Sequence, residues 1–290
     1  MKCSEAIRYI EENKLKEGFN ETYLNGVKIF KNDYPVPRQL LEYNPGILIV
    51  LNGSKHGYIK NNHFDYSRDY YIVLPTHLQF ECEAIASKED PVFGLFIEID
   101  ISLLNELIIK MNLRQAVVTV DSFKVKPIKI DNKLETAALR LLDVLKDETD
   151  STILGPSIVK EILYLVLKGD NRDILYSLCA NGSDYDRLAK ALRIIHTRYK
   201  EHLSVEYLAR ECSMSSSGFY KIFKSLTGET PLQYLKKIRL KQAKDLLEKQ
   251  RLKACDVALE IGYESVSQFS REFKRYYGST PGMVKSQSYI

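Results

Sequence analysis

The sequence predicts an α+β chain: an amino-terminal antiparallel β-barrel with helices behind it, then an all-α part holding two helix-turn-helix units. Three observations carry this. Short apolar strands separated by Gly, Asn and Pro recur about every ten residues as far as Ile99, a spacing that favours a small barrel or jelly roll over a βαβ sheet. From Ser102 the apolar period becomes helical. Near the carboxyl end one supersecondary unit occurs twice. Phe219, Phe223, Lys224, Gly228, Thr230 and Pro231 are followed fifty residues later by Phe269, Phe273, Lys274, Gly278, Thr280 and Pro281.

Residues 5–15 have the pattern of a short helix, and Pro35, Pro37 and Pro45 break residues 20–45 into irregular chain with early strands. Ile47-Leu48-Ile49-Val50-Leu51 is a continuous apolar strand, halted by the turn signal Asn52-Gly53. His56 to Ile59 forms a second strand that reverses at Asn61-Asn62. Tyr70 to Leu74 follows, stopped by Pro75, and then Leu78–Ile85 and Val92–Ile99. Beyond them, Leu103, Leu104, Leu107 and Ile108 make one helical stripe, and Leu134, Ala138, Leu141, Leu142 and Leu145 another. A third helix, near Ser157 to Lys168, is apolar around most of its girth, and such a helix usually has more than one partner. Asn181-Gly182-Ser183-Asp184 reads as a linker, giving domains of 1–180 and 181–290.

Each copy of the repeat, at about 204–228 and 253–278, reads as helix, tight turn, helix. In the first, Ser204 caps one helix, Cys212-Ser213-Met214 makes the turn and Ser215 caps the next, whose Phe219, Ile222, Phe223 and Leu226 lie on one face ahead of the stop at Gly228. The second copy has Val257, Ala258 and Ile261, a Gly262-Tyr263 turn and the stripe Phe269, Phe273, Tyr276 and Tyr277. Ala209 and Ala258 are only forty-nine apart, so the second turn holds one residue more. Between the copies, Thr230 and Pro231 start a helix running to about Glu248, whose length of ~27 Å suits a spacer for two elements one DNA turn of ~34 Å apart. Charge supports a phosphate-contacting role. Residues 187–290 hold 20 Lys plus Arg against 10 Asp plus Glu, whereas residues 1–186 hold 22 against 28.

The run SSSGFYKIFKSLTGETPLQYLKKIRLKQAKDLL, then VALEIGYESVSQFSREFKRYYGSTP, resembles the AraC-type DNA-binding domain along about a hundred residues. The runs EYNPGILIVLNGSKHGYI, FDYSRDYYIVLP and EAIASKEDPVFGLFIEID resemble the cupin-like amino-terminal sensor domain of one subgroup of AraC-type regulators. The resemblance implies a DNA-binding transcription regulator whose two recognition helices enter successive major-groove segments of double-stranded DNA. It places Ser217, Tyr220, Lys221 and Lys224 on the outward face of the first recognition helix, and Ser267, Gln268, Ser270 and Arg271 on that of the second. Arg and Gln suit bidentate reading of guanine and adenine edges. Lys224, Lys274 and Arg275 suit phosphate. The alternative for Arg271 is a salt bridge to Glu264 or Glu272, and Arg239 is expected to tie the units together. The family also implies a homodimer through helices after the barrel, here through Ile158, Ile162, Leu163 and Val166, with contact to RNA polymerase and, most commonly, activation.

A barrel mouth can enclose a small-molecule effector, and Arg38, Tyr58, Tyr71, His77 and Phe80 combine ring surface with polar ends on or beside strands. Metal-dependent cupins bring two His one residue apart together with a Glu and a third His. This chain has five His and no His-x-His pair, so no metal site, cofactor or catalytic residue is expected. Five scattered Cys without a C-x-x-C pair read as reduced thiols, and no segment resembles a signal peptide or a membrane span, which fits a cytoplasmic location. Two alternatives stand beside the ligand-sensing regulator: one controlled by abundance or a protein partner, and a metal-dependent cupin enzyme fused to a DNA-binding tail.

Overall fold

The computed structural model describes residues 3–59, 62–74, 78–112, 125–170, 172–179, 184–250 and 252–287. The chain divides into two compact units, Met1–Asp186 and Arg187–Ile290.

The first unit opens with α1 (Cys3–Glu12) and continues through β1 (Gly18–Glu21), β2 (Val27–Asn32), β3 (Val36–Tyr43), β4 (Gly46–Asn52), β5 (Ser54–Ile59), β6 (Asn62–Ser67), β7 (Tyr70–Leu74), β8 (Leu78–Ile85) and β9 (Val92–Glu98). After these come α2 (Ile101–Lys110), the short β10 (Ile128–Lys129), α3 (Asn132–Val144), α4 (Glu148–Lys168) and α5 (Arg172–Cys179). The strands form two antiparallel sheets, of order β1-β2-β9-β4-β7-β10 and β3-β8-β5-β6. Among the described residues no ladder joins the two, so the expected barrel is an unclosed pair of facing sheets. Phe30, Tyr43, Leu48, Val50, Tyr66, Ile72, Phe80, Cys82 and Phe96 fill the space between them. The other face of the six-stranded sheet, with Ile29, Ile47, Ile49, Tyr71, Val73, Leu95 and Ile97, packs on the helices. The unbroken apolar run of β4 follows from this burial on both faces.

Two elements depart from the sequence reading. β3 runs straight through Pro37, because it lies at the edge of the four-stranded sheet and its register shifts between Val36 and Gln39, and an edge with a bulge tolerates the lost N–H. α4 begins at Glu148, well before Ser157, with the Asp147 carboxylate accepting from Asp150 N at its start. Gly155-Pro156, a turn signal in isolation, lies inside this helix. Gly155 is where Leu24 packs, since a Cβ there would come within 2.7 Å of its side chain. The dimer expectation needs correction as well. Ile158, Ile162, Leu163 and Val166 are core residues of this chain, because α4 packs against α2, α3 and α5. Its exposed apolar side chains are Ile153, Leu154 and Tyr164.

The second unit begins within α6 (Asp184–Arg198) and continues through α7 (Val205–Glu211), α8 (Ser216–Thr227), α9 (Pro231–Gln250), α10 (Ala254–Glu260), α11 (Val266–Tyr277) and α12 (Pro281–Gln287). Thr230 and Gln233 cap α9 reciprocally, each backbone N–H donating to the other's side chain. The linker positions 181–183 lie outside the described residues. Among the described residues no helix is long and apolar enough to cross a membrane.

Candidate functional site

Two helix pairs, α7 with α8 and α10 with α11, carry the outward-facing residues. Ser204 accepts from Tyr207 N and Ser215 from Gly218 N, so both helices of the first pair are capped by side chains. In the second pair Ser265 accepts from Gln268 N, whereas Lys253 stands at the start of α10 without a side-chain cap. Gly228 and Gly278 end α8 and α11 in the left-handed conformation, at φ 87° and 75°. The turn of the first pair spans residues 212–215 and that of the second 261–265, which is where the one-residue slip of the repeat falls.

Inward faces fix outward ones. Phe219 and Phe223 are fully buried, with Phe223 edge-on to Tyr234 of α9, and Phe269 and Phe273 take the same places in the second pair. With those rings inside, Ser217, Tyr220, Lys221 and Lys224 of α8 are exposed, as are Ser267, Gln268, Arg271, Lys274 and Arg275 of α11, while Ser270 is half-buried. Lys224 lies over the Tyr220 ring. Glu272, on the flank of α11, accepts from Lys236 Nζ and Tyr263 OH, each at 2.8 Å. Its carboxyl lies below the usual range, because these donors and Gln268 outweigh the opposing effect of burial. Arg271 forms no ion pair among the described residues, so its guanidinium faces outward. Gln268 is partly engaged, its amide donating to Glu272 at 3.4 Å.

α9 holds the two pairs in one body. Its first half gives Tyr234, Leu235 and Ile238 to buried positions, and its second half gives Leu240, Ala243 and Leu247 to the core of the second pair. Arg239 donates to the carbonyls of Tyr199 at 2.7 Å and Glu201 at 2.8 Å, with its guanidinium near the Tyr263 ring. It ties α9 to the segment at Tyr199 and Glu201. Gly262 sits at the same junction: its φ is +85°, and a Cβ there would come within 2.2 Å of the Lys200 carbonyl oxygen.

Residues 23–174 match the family described as AraC-type transcriptional regulator N-terminus, and residues 208–287 match a helix-turn-helix domain. The chain is an AraC-type transcriptional regulator. The regulator AlkR of Acinetobacter baylyi is 38% identical over 104 residues, 36% of this chain and 34% of that protein. The probable transcriptional regulator LumQ of Photobacterium leiognathi is 28% identical over 181 residues, 61% of this chain and 70% of that protein. The match thus spans about a third of AlkR and more than two thirds of LumQ. Among solved structures, an apo form of a ToxT point variant from Vibrio cholerae matches with a TM-score of 0.56 at 15% identity over 93% of this chain and 99% of that one, a likeness of fold. AlkR and LumQ are regulators by name, and the helix-turn-helix match supports DNA as the partner of the two helix pairs.

In this AraC-type regulator the residues expected to line an effector pocket disperse. Arg38 and Tyr58 lie on the outer face of the four-stranded sheet, with the guanidinium 3.9 Å from the Tyr58 ring and paired to Glu81. Tyr71 points to the helix layer and Phe80 is packed core, stacked on Tyr43. His77 lies outside the described residues. A chamber of about 120 Å³ does open between the sheets, lined by Phe19, Phe30, Gln39, Leu41, Lys55 and Cys82 among others. Lys55 was missed because strand parity, and not residue type, decides which side it faces. Its ammonium is buried, donates to Tyr43 OH at 3.4 Å and lies over the Phe30 ring. Among the described residues no carboxylate pairs with it. Glu83 borders the chamber, but its carboxylate accepts the Tyr58 hydroxyl at 2.5 Å. Burial pushes the Lys55 amine down and pushes the Tyr43 and Tyr66 hydroxyls and the Cys82 thiol up, so none of these neighbours supplies a negative charge.

Proposed function

We propose that this regulator senses a small molecule bearing a carboxylate in the chamber around Lys55, and that occupancy changes its DNA binding and so activates transcription. The observation that carries the reading is Lys55 itself, a buried ammonium with no acidic partner among the described residues, beside a cavity with apolar walls. Uncompensated buried charge is costly, and an anionic ligand would offset that cost. A cavity of ~150 Å³ holds a benzene-sized molecule, so 120 Å³ suits a short acid or the head of a longer one passing Phe19 at the mouth. A solved ToxT structure is described as bound to an unsaturated fatty acid, and the present chamber suits the same chemical class.

In this reading residues 1–180 sense and dimerise, and residues 181–290 bind DNA. Ser217, Tyr220, Lys221, Ser267, Gln268, Ser270 and Arg271 read bases, and Lys224, Lys274 and Arg275 hold phosphate. A homodimer would use the exposed Ile153, Leu154 and Tyr164 of α4, which leaves the core intact. RNA polymerase is the further partner expected of an activator. The test is affinity for the chain's own upstream DNA, against scrambled DNA at matched salt, with and without a library of carboxylic acids. A compound that shifts specific binding in the wild type and not in Lys55→Met supports the reading. Specific binding that no acid shifts favours a regulator controlled by abundance or a protein partner.

A further inference from the structure

The outer face of the β5–β6 hairpin brings together side chains that the regulatory reading does not use. His56 stands opposite Asp65, and Tyr58 opposite His63, in the antiparallel ladder, so all four project from one side of the sheet. His56 Nδ1 donates to Asp65 Oδ1, and His63 Nε2 donates to the same oxygen at 2.8 Å. Two imidazole nitrogens and a carboxylate oxygen therefore point at one place, all within 4.8 Å of one another. The surroundings hold this arrangement. The His63 ring lies 5.8 Å from that of Tyr58, whose hydroxyl is held by Glu83, and Glu83 faces His56 from the neighbouring strand β8. Arg38 covers the Tyr58 ring but is paired to Glu81, so its charge is offset locally.

We propose that His56, His63 and Asp65 form a binding site for a divalent transition-metal ion of the zinc class. Two neutral imidazoles and one carboxylate are donors of the borderline kind that Zn²⁺ takes in three-ligand sites, with the fourth position left to water. Tetrahedral bonds of ~2.0–2.2 Å set the donor atoms ~3.3 Å apart, so an ion entering between them would spread each imidazole nitrogen from the Asp65 oxygen it now touches. Asp65 and His63 are more than half exposed, whereas His56 is largely covered by its neighbours. The ion replaces the protons that the two rings now direct at Asp65, so binding weakens on acidification. β6 is an edge strand of its sheet, so a bound ion would clip this edge hairpin. It would also stiffen the strand whose opposite face carries Lys55, the residue next to His56.

The experiment is calorimetric titration of the chelator-treated, full-length protein with zinc chloride, and with cobalt(II) for its absorption spectrum. The expected result is one zinc equivalent that weakens at least tenfold in His63→Ala and in Asp65→Ala. Cys255→Ser, at an exposed thiol, should leave binding unchanged, and the cobalt spectrum should show no thiolate charge-transfer band. Both ligand variants alter exposed side chains, and unchanged circular dichroism and melting without metal would establish that they fold. Zinc binding that persists unaltered in His63→Ala, or that vanishes with Cys255→Ser, would overturn the proposal. Wild-type binding no tighter than that of a His56→Ala, His63→Ala double variant would do the same.

Discussion

Arg271 and Lys274 stand one turn apart on α11, yet they should answer differently to truncation. Arg271 is exposed and has no ion pair among the described residues, so Arg271→Ala should cost about 1–3 kcal/mol on the specific site and little on scrambled DNA. Lys274→Ala should weaken both and flatten the dependence of log affinity on log salt by about one unit. Competition binding at two or three salt concentrations separates these outcomes. Lys55 makes a prediction of opposite sign, because its removal should stabilise. Its folded-state amine titrates below the ordinary value of 10.5, so the unfolded chain binds more protons in the window between the two. The cost of burying the charge is therefore present at neutral pH and relieved as the pH rises toward 10.5. Lys55→Met should raise the unfolding free energy by about 1–3 kcal/mol at pH 7. Denaturant melts should show that advantage shrinking at alkaline pH, and an advantage constant with pH would contradict the burial argument.

At the scale of the element, serine caps are the local signal that sets each recognition helix. Ser215→Ala and Ser265→Ala should each destabilise the second unit by about 1 kcal/mol, measured by thermal unfolding. The sequence made these helices legible because capping, the Phe-x-x-x-Phe stripe and the glycine stop all act within one or two turns of chain. The facing sheets were only partly legible. Whether a strand residue faces in or out depends on register, and register slips between Val36 and Gln39 and between Val50 and Asn52. Arg38 and Tyr58 suggested lining residues by their chemistry alone, whereas Tyr58 and Lys55 stand on opposite faces of the regularly paired strand β5, and only Lys55 faces in. His56, His63 and Asp65 escaped a search for His-x-His because they lie on two strands, β5 and β6, and only strand pairing brings them together. The apolar girth of α4 did signal several partners, but they are α2, α3 and α5 of the same chain.

For the molecule as a whole, two units with separate cores predict separable damage. Ala243 is fully buried where α9 enters the core of the second helix pair. Ala243→Pro should cost about 3 kcal/mol or more by breaking that helix. The paired sheets should remain folded, as read by the unchanged melting of the first unit, while specific DNA affinity falls to that of one helix pair. Full affinity in a folded Ala243→Pro protein would mean that the two pairs need no rigid spacer.

Because Tyr234 and Ile238 lie in one core and Ala243 and Leu247 in another, α9 behaves as a keyed shaft with a fixed angular setting. Each residue of an α-helix advances that setting by about 100° and the length by about 1.5 Å. Lengthening or shortening the shaft by one residue would turn one reading head away from the groove that the other occupies. On the proposed reading of bases by the two helix pairs, the distance between their sequence elements in an operator is therefore inherited from the residue count of the helix between them.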